Sequence, residues 1–334
     1  MKTTLKDIAK AAEVGTATVE RVMNGRGNVR PETVEKVLVA ARRLDYRRKL
    51  PERHRGLIRI EVILVRPETT FFARLSRGFE RIAATLDSSV SVNRTFVNEA
   101  DAKSIADRIL HPAARRSGLI LAVPQYGAVG AALRQLLGQG VPVLQVMTGM
   151  DSGDAALVGI DNEAAGRTAG LLMSAMQRRS GPVVALCHSE VYSVHRRRIR
   201  GFSQGIERHG RGNLNFVELL YTFDDAMEAS AQLVDAMRRY PDLAGLYNAG
   251  GANFALCDVL RRHRATDGIF FVGHELTERT TSALREGIMH IVIDQSPEAQ
   301  ARRAMDMMLS RLGVLDTPVD NPPIRFVTVT SENI

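Results

Sequence analysis

Two groups of side chains in this sequence are spaced so that they could bind other molecules. The first lies within residues 6–26, where hydroxyl, guanidinium and amide groups fall on one side of a helical pattern. Arg21 can pair with O6 and N7 of guanine, and Thr16 and Ala17 can contact a thymine methyl group or a phosphate. Other side chains suit contact with the nucleic-acid backbone, which fixes register without reading sequence: Lys6, Thr18, Asn24 and Arg26.

The second group follows apolar, strand-like runs in the rest of the chain. Ligands of open α/β sheets bind beyond the carboxyl ends of the strands, so side chains at these positions are candidates for a small-molecule site. Phe71 and Phe72 follow the first run, and we expect one ring to lie in the core and the other in the site. Asn248 and Asn253 border a glycine-rich turn and suit the recognition of hydroxyl groups.

Three short helices must position the first group. We expect the first helix to begin at Thr4, with Asp7 three residues later as a variant of the capping box. Gly15 is expected in the turn that follows. The second helix is expected at about 16–24, and the third at 31–44 with a proline near its first turn. Short helices joined in this way form a helix-turn-helix, which presents one helix to the DNA major groove.

The net charge of the chain is confined to the same part of the sequence. The chain has 45 Lys/Arg and 37 Asp/Glu, and its first 59 residues hold 15 and 7 of these, which accounts for the whole net charge of +8. A basic head joined to a neutral body is what binding to a polyanion requires. The alternative is a basic tail that only aids solubility, and the helical patterning argues against it.

Behind this head, strand-like and helix-like segments alternate. Strands are predicted at 60–65, 90–96, 118–123, 141–146, 183–187, 216–220, 243–247, 269–273 and 288–293, and helices between most of them include 72–86, 127–137, 163–176, 226–239 and 297–312. This βαβ order predicts parallel sheets with helices on both faces. Nine or more strands favour two sheets, and a single large doubly wound sheet is the alternative.

The motifs of the head are specific. Residues 4–46 contain Leu-Lys-Asp-Ile-Ala-Lys, Ala-Thr-Val-x-Arg-Val-x-Asn-Gly and Pro-Glu-Thr-x-x-x-Val-x-x-x-Ala-x-x-Leu-x-Tyr, the last with three residues between Val37 and Ala41. The three motifs closely resemble the lac repressor family of bacterial transcription regulators. The resemblance implies an α/β chain with a three-helix helix-turn-helix domain at 1–47 and a basic linker at 48–58. It also implies a two-lobed body at 59–334, of the type I periplasmic-binding-protein kind with two parallel sheets.

The resemblance also implies partners and a mechanism. A homodimer would hold two heads on a roughly palindromic double-stranded DNA operator, and a small effector resembling a sugar or polyol would control operator affinity. In relatives, an arginine five residues ahead of a Gly-Phe pair grips ligand hydroxyls, and paired aromatic rings stack on the sugar. The effector-binding residues implied here are Phe71, Phe72, Asp161, Arg196, Glu275 and Gln295.

The DNA-binding part departs from the family in three places. Gly15 stands where relatives carry a small hydroxyl residue, and so does Glu20. Glu20 either accepts a hydrogen bond from a cytosine amino group or pairs with a neighbouring basic side chain, and we favour the pairing. The linker lacks the family's hinge-helix pattern, which bends DNA through the minor groove. We expect its arginines to contact phosphates or the minor groove with less bending, the alternative being a solvated linker: Arg47, Arg48, Arg53 and Arg55.

The first lobe departs from the family in one place. Met147 and Thr148 stand where many relatives carry a polar Asp-Arg pair, so a charged contact to the ligand is missing. Either the effector is less polar on this side, or another polar side chain takes over: Gln125, Gln145 or Thr148.

Other classes of function fit the sequence less well. A solute-binding protein of a sugar transport system would share the body, but it needs export, and the N-terminus has no apolar signal core. An enzyme is suggested only by the sequence cluster 187–190, without a nucleophile elbow, metal-ligand set or phosphate loop. No cofactor or metal is expected. No membrane partner is expected either, since no apolar run reaches about 18 residues. We expect a cytoplasmic protein with Cys187 and Cys257 as buried thiols.

Overall fold

The computed structural model describes residues 4–23, 29–44, 57–150, 155–265 and 268–334. The chain divides into two units, Met1–Ile58 and Arg59–Ile334, here called the head and the body. Six of the basic and amide side chains predicted to contact DNA lie outside the described residues: Asn24, Arg26, Arg47, Arg48, Arg53 and Arg55.

The head contains the three predicted helices, α1 (Leu5–Ala11), α2 (Thr16–Met23) and α3 (Pro31–Arg43). The predicted capping box is confirmed, because the Thr4 hydroxyl accepts from the Asp7 amide and the Asp7 carboxylate accepts from the Thr4 amide at 2.8 Å. Apolar side chains from all three helices form one small core: Ile8, Ala9, Ala12, Val19, Val22, Val37, Ala40 and Ala41. Burial of these side chains fixes the angle at which α2 leaves α1.

The turn between α1 and α2 is closed by backbone hydrogen bonds. The Val14 amide donates to the Ala9 carbonyl at 3.0 Å, which ends α1 in a Schellman-type arrangement. Glu13 takes the left-handed conformation that this arrangement requires, with φ of 55°. Gly15 follows immediately before α2 and accepts from the Thr18 amide at 2.9 Å. The short turn therefore leaves the first turn of α2 at the surface of the head.

In the described part of the body, five strands form the first sheet, in the order β2-β1-β3-β4-β5. They are β1 (Ile58–Val65), β2 (Val90–Val97), β3 (Gly118–Ala122), β4 (Val143–Val146) and β5 (Ala156–Val158). The connecting helices are α4 (Thr70–Ala83), α5 (Ala102–Leu110) and α6 (Gly127–Gly138). The inner strands β1, β3 and β4 are buried almost throughout, as expected for a parallel sheet covered on both faces.

Six strands form the second sheet, in the order β11-β10-β9-β8-β6-β7. They are β6 (Gly181–Cys187), β7 (Leu214–Tyr221), β8 (Gly245–Asn248), β9 (Phe270–His274), β10 (Ile291–Asp294) and β11 (Val327–Val329). The helices of this lobe are α7 (Asn162–Met176), α8 (Ser193–His209), α9 (Ala226–Arg239), α10 (Asn253–Arg262) and α11 (Glu278–Arg285). The two predicted sheets are confirmed, and β11 is the strand that runs antiparallel to its neighbour.

The chain passes between the lobes more than once. It leaves the first sheet after β5, and after β10 it returns as α12 (Pro297–Arg311), which packs on α4 and on the first sheet. A Cβ atom on Gly118 of β3 would collide with the Met308 sulfur of α12. Ile324 then pairs with Ile160 before β11 joins the second sheet. Each lobe is therefore completed by chain that comes from the other.

Glycines allow α7 and α8 to pack at very short range. A Cβ atom on Gly201 of α8 would collide with the Glu163 carbonyl oxygen, and one on Gly166 of α7 would collide with the Arg198 carbonyl oxygen. Gly170 and Gly205 meet in the same way one turn further along, with backbone atoms 2.8–3.0 Å from an added Cβ. The backbones of the two helices are thus nearly in contact, which sets how deeply the first turns of α8 enter the lobe.

The described residues bear on the cysteines, on membrane-spanning helices and on metal-binding clusters. Both cysteines are buried, as predicted, and burial raises the pKa of the Cys187 and Cys257 thiols to about 12. Within the same residues, no helix is both long and apolar enough to cross a membrane. They also contain no cluster of three or more His, Cys, Asp or Glu side chains that could hold a metal ion.

Candidate functional site

The exposed side of α2 is the candidate nucleic-acid interface. Val19 and Val22 are buried in the core of the head. The opposite side leaves four predicted DNA-binding side chains exposed, namely Thr16, Ala17, Glu20 and Arg21. Thr18 is half-buried, and Lys6 is exposed on α1. This helix therefore presents a short row of hydroxyl, methyl, carboxylate and guanidinium groups to solvent.

Glu20 contributes a negative charge to this surface. Among the described residues, no basic side chain lies within ion-pair distance of its carboxylate. The pairing that the sequence favoured is thus not made within the described part of the head.

A cavity of about 250 Å³ lies between the two lobes of the body. The volume corresponds to roughly eight water molecules at the density of liquid water. Its walls come from the carboxyl ends of strands and the beginnings of helices in both lobes, which is where ligands of parallel α/β sheets bind. The first lobe contributes the start of α4 and Met147, and the second contributes α8, the 250–254 turn and the end of β9.

Five buried polar atoms around this cavity have no hydrogen-bond partner in the described structure. They are Arg198 Nη2, His195 Nδ1, His274 Nδ1, Glu275 Oε2 and Gln295 Oε1. Leaving a buried polar group unpaired costs about 1–3 kcal/mol, so native proteins pair almost all of them. All five belong to side chains that line the cavity, although the atoms themselves are buried in its wall.

Arg198 is the most buried charged side chain of the cavity, with 2 % of its surface exposed. Its Nε donates to the Asn162 side-chain oxygen at 2.8 Å, and its Nη1 donates to the Ala249 carbonyl at 2.8 Å. These two contacts fix the plane of the guanidinium group. Burial lowers the pKa of Arg198, but an arginine stays charged in proteins. The remaining nitrogen, Nη2, is buried and has no hydrogen-bond partner in the described structure.

The two cavity histidines are neutral. Burial, followed by the nearby charge of Arg198, lowers the pKa of His195 and of His274 well below the usual value. His274 Nε2 lies 2.9 Å from the Tyr247 hydroxyl, and the Tyr247 ring stacks on Phe202 with centroids 4.4 Å apart. Each neutral ring keeps one nitrogen that can donate to a ligand or accept from it, depending on its tautomer.

Glu275 carries a perturbed carboxyl group at the back of the cavity. Burial and the neighbouring charge of Asp294 raise the pKa of Glu275 to about 7. The Gln295 amide donates to Glu275 Oε1, whereas Arg74 is 3.9 Å from Oε2 and instead binds Asp294 and Glu298. Glu275 Oε2 thus has Arg74 within ion-pair distance but accepts no hydrogen bond in the described structure.

The turn between β8 and α10 is held by two asparagines. Asn248 donates to Asn253 Oδ1 at 2.8 Å and accepts from the Gly250 amide at 3.2 Å. Asn253 in turn donates to the His274 carbonyl at 2.7 Å. Ala252 takes a left-handed φ of 59° at the start of α10. The pair of asparagines shapes the wall of the cavity, and only Asn253 lines it.

Ionic and polar contacts join the two lobes beside the cavity. Arg66, after β1, pairs with Asp224, after β7, at 3.1 Å and with Glu99 at 3.4 Å. The Tyr192 hydroxyl donates to Glu99 Oε2 at 2.7 Å across the same gap. Burial would raise the pKa of Glu99, but contacts from His188, Tyr192 and Arg66 hold it below its usual value. The described structure therefore has the lobes bridged around the cavity.

The structure brings five of the nine sequence-predicted effector residues to the cavity: Phe71, Phe72, Asn253, Glu275 and Gln295. The two phenylalanine rings lie edge to face, 5.4 Å apart, and both line the cavity. Both rings are also buried, so the structure does not divide them into one core ring and one site ring as expected.

The other four predicted residues lie elsewhere, each for a local reason. Asp161 caps α7 by accepting from the Ala164 amide at 2.9 Å. Arg196 is exposed on α8 and donates to the Glu190 carbonyl. Gln125 accepts from the Ser193 amide at 3.0 Å and so joins the first lobe to α8. Asn248 is a buried support of the turn described above.

The structure also describes Met147 and the three polar side chains considered as replacements for the missing Asp-Arg pair. Met147 lines the cavity. Gln145 is buried and bonds the backbone of Met150 at 2.7–2.9 Å, and Thr148 lies 3.4 Å from the Ser193 hydroxyl. None of the three polar side chains proposed as a replacement lines the cavity, so the first lobe offers an apolar wall at this point.

Sequence reasoning missed several cavity residues, chiefly Arg198, His195, His274 and Arg66. The sequence does contain a pattern that indicates Arg198 and His195. Counted along a helix, His195, Arg198 and Phe202 are three and four residues apart, so they share one side with Phe202 in the core. The exposed Arg196 and Arg197 lie on the other side. Arg66 and His274 carried no such signal, because their partners come from distant parts of the chain.

Comparisons with known proteins match both units. Residues 4–49 match the family model "Bacterial regulatory proteins, lacI family", and residues 60–313 match the model "Periplasmic binding protein domain". Catabolite control protein A of Priestia megaterium is 26% identical over 240 residues, which cover 70% of this chain and 71% of that protein. The protein of the same name from Staphylococcus epidermidis is 31% identical over 175 residues, about half the length of each chain.

Solved structures resemble the body at low sequence identity, so the resemblance concerns the fold alone. A putative LacI transcriptional regulator from Bacteroides fragilis has a TM-score of 0.74 at 18% identity and covers 83% of this chain and 98% of its own. A solute-binding protein from Burkholderia graminis, in complex with D-arabinose, has a TM-score of 0.73 at 19% identity, with coverages of 83% and 96%. The fold of the body is thus that of type I periplasmic binding proteins.

Proposed function

We propose a role for each unit of this chain, which belongs to the lacI family of bacterial regulatory proteins and has a periplasmic binding protein domain as its body. The head binds an operator in double-stranded DNA through α2, with Arg21, Thr16 and Ala17 reading bases. The cavity of the body binds a small sugar-like effector. Effector binding changes operator affinity in the cytoplasm, where the DNA lies.

The five cavity-lining side chains that hold an unpartnered polar atom carry this proposal. A polyhydroxylated molecule offers hydroxyl groups to such side chains, and its apolar ring face suits the Phe71 and Phe72 rings. The volume of about 250 Å³ suits a single small ring rather than a chain of sugars. The solute-binding relative with bound D-arabinose supports the same ligand class for this fold.

Binding without turnover fits the groups in and around the cavity. His188 Nδ1 lies 2.7 Å from the Ser189 hydroxyl, but neither residue lines the cavity. Cys187 has a raised pKa of about 12 and stays a thiol, which is a poor nucleophile. We therefore infer that the ligand is an effector and not a substrate.

The coupling is a two-state equilibrium. The bridges from Arg66 to Asp224 and from Tyr192 to Glu99 hold the lobes together around the cavity. A ligand shifts the equilibrium only to the extent that it binds one lobe arrangement better than another. We propose that this shift is transmitted within a homodimer, whose two heads hold half-sites about one helical turn apart.

Selection of duplexes from a random library by the full-length protein tests the regulatory proposal. We expect a roughly palindromic consensus, and an affinity for it that falls steeply between about 50 mM and 200 mM salt. Addition of the correct member of a sugar and polyol panel should change that affinity. A consensus without two-fold symmetry would contradict the dimer, and the absence of any salt-sensitive sequence preference would overturn the function.

Arg21→Ala tests the reading helix. We expect affinity for the selected duplex to fall about ten- to hundredfold, because a bidentate arginine–guanine pair contributes about 1–3 kcal/mol of discrimination. Affinity for unrelated DNA should change little. Lys10→Ala is a matched control, since Lys10 is equally exposed but lies in the last turn of α1. An equal loss in both variants, or for both DNAs, would show that Arg21 contributes charge only.

A further inference from the structure

Polar side chains of both lobes meet beside the cavity in one cluster, here called the latch, which consists of Arg66, Glu99, His188, Tyr192 and Asp224. Arg66 and Glu99 lie 3.4 Å apart at the ends of β1 and β2 in the first lobe. From the second lobe, Tyr192 donates to Glu99 at 2.7 Å, and His188 Nε2 lies 3.6 Å from the same carboxylate. Asp224 binds Arg66 at 3.1 Å. None of these side chains is more than 23% exposed, so water and salt screen their attraction less than that of surface pairs.

The glycine pair of the turn between β8 and α10 holds Asp224 in place. Asp224 Oδ1 accepts from the Gly251 amide at 2.6 Å. A Cβ atom on Gly250 would lie 2.5 Å from the same oxygen, so a glycine at this position makes room for the carboxylate. The second lobe thus presents Asp224 in a fixed position, and its other oxygen, Oδ2, binds Arg66 of the first lobe.

The backbone that carries the latch is strained in both lobes. Arg66 has a left-handed φ of 47°, and the consecutive residues Phe223 and Asp224 have φ of 52° and 54°. For side chains other than those of asparagine and aspartate, this conformation is disfavoured about five- to thirtyfold. Such residues persist where surrounding contacts hold them, and they are frequent in switch regions. The latch contacts therefore oppose a backbone preference for another conformation.

The side chain of Phe223 does little to compensate for this strain. Its ring is 58% exposed and lies 5.9 Å from the His188 ring, measured between centroids. The conformation of the turn instead positions the next side chain, because Asp224 reaches both Gly251 and Arg66 from it. The turn between β7 and α9 thus combines an energetic cost with an attachment to the opposite lobe, which is the pattern of an element with two accessible states.

We propose that the latch sets, before any effector binds, the fraction of molecules whose lobes are closed, and that strain in the turn 222–225 keeps this closure reversible. The inference rests on the proposed effector function and adds a regulatory device to the same site. An effector that touches both lobes binds the closed arrangement, so its apparent affinity is proportional to the closed fraction. In the effector-free protein, a weaker latch should shift operator affinity in the direction opposite to the effect of the effector.

The distance between two spin labels, one on each lobe of the full-length protein, measures closure directly. Lys103 in the first turn of α5 and Arg197 near the start of α8 are exposed, and both are replaced by cysteine for labelling. The native Cys187 and Cys257 are buried with a pKa of about 12, so they react poorly with the label. Labelled chains are diluted with an excess of unlabelled chains, so that each distance is measured within one chain.

Glu99→Gln removes the charge at the centre of the latch, and Glu99 does not itself line the cavity. We expect the ratio of closed to open molecules to fall about three- to tenfold, between the effects of exposed and of buried charged contacts. The lobes should not separate fully, because the Ser193 amide still donates to Gln125 across them. Glu80→Gln is the matched control, since Glu80 binds Arg94 at 2.7 Å within the first lobe and should leave the ratio unchanged.

Two substitutions at Phe223 separate strain from packing. Both remove the ring, but Phe223→Ala keeps the Cβ atom whereas Phe223→Gly does not, and glycine adopts a left-handed φ without penalty. Each is made in the Glu99→Gln protein, where both lobe arrangements are populated. Phe223→Gly should raise the ratio of closed to open molecules about fivefold above that of Phe223→Ala, which is the lower end of the range for this strain.

The measured distances can contradict the latch in three ways. Absence of the closed distance from the effector-free, unaltered protein overturns the inference, and so does a distribution that Glu99→Gln leaves unchanged. A shift of equal size in Glu80→Gln overturns it as well, because the loss would then not be specific to contacts between the lobes. Equal ratios for the two Phe223 variants overturn the role of strain.

A second variant weakens the latch independently. Arg66→Lys keeps the charge, but one ammonium nitrogen cannot replace the two guanidinium nitrogens that contact Glu99 and Asp224. If Glu99→Gln fails to fold, Arg66→Lys takes its place, with the same expected loss of closed molecules. Affinity for the selected duplex is then measured in the same variants. A latch that controls the lobe distance but never changes this affinity supports the inference and counts against the regulatory function.

Discussion

Glu275→Gln is expected to stabilise the effector-free protein by about 3 kcal/mol at pH 8, and by less than about 1 kcal/mol at pH 5. The pKa of Glu275 is raised from 4.5 in the unfolded chain to about 7 in the folded protein. The folded state therefore holds a proton that the unfolded chain releases. This contribution to stability is fully present below pH 4.5 and is lost as the pH rises through 7.

Glutamine removes this titration and preserves the local contact. Its side-chain oxygen can still accept from the Gln295 amide, as Glu275 Oε1 does. Urea unfolding of the two full-length proteins across pH 5–8 measures the difference. Glu278→Gln, which alters an exposed carboxylate in the first turn of α11, should show no such pH-dependent gain. A gain that is the same at both pH values would contradict the raised pKa.

The same substitution is expected to weaken effector binding. A buried carboxylate that destabilises the protein above neutral pH serves no structural purpose that glutamine could not serve. Stability lost at a binding site is a recurrent cost of function. We therefore propose that Glu275 takes part in ligand recognition.

Gly201→Ala is expected to lower the free energy of unfolding by about 3 kcal/mol, at the upper end of the range for overpacking. The added Cβ atom would collide with the Glu163 carbonyl oxygen, which is backbone and cannot rotate away. The helices α7 and α8 must then separate, which outweighs the gain of up to about 1 kcal/mol that alanine brings to a helix. The loss is measured by chemical unfolding of the full-length protein.

Gly138→Ala provides the matched control. An added Cβ at Gly138 of α6 meets no atom within 4 Å, so the substitution should leave stability unchanged or raise it slightly. Gly201→Ala should also weaken effector binding, because the displaced helix carries His195 and Arg198. Equal stabilities for the two variants would show that α7 and α8 accommodate the methyl group by a small shift.

The sequence predicts the elements well where its patterns are long. The three head helices and the capping box at Thr4 are confirmed, and the nine predicted strands correspond to β1–β4 and β6–β10. The strands β5 and β11 were missed because each has three residues, which is too short for an apolar run to be distinguished. Their pairing is decided by neighbouring strands and not by local preference.

The site is less predictable because its contacts are made across the chain. Asp161 and Asn162 are adjacent polar residues, and the sequence does not tell which one caps α7 and which one binds Arg198. The spacing to Phe202 could have favoured Arg198 over Arg196, but the side of α8 that faces the lobe is fixed only by the glycine contacts with α7. The pairs Arg66–Asp224 and Tyr192–Glu99 join residues 158 and 93 positions apart, beyond the reach of local patterns.

The placement of α12 has a consequence for how this protein can be divided. The helix follows β10 of the second sheet in sequence but covers the first sheet, and β11 then returns to the second. Neither lobe corresponds to an uninterrupted stretch of the gene. A fragment that stops before residue 297 would expose the apolar surface beneath α12 to aggregation. An exchange of one lobe between related proteins would therefore have to replace at least two separate segments of the chain, whereas the whole body is one continuous segment.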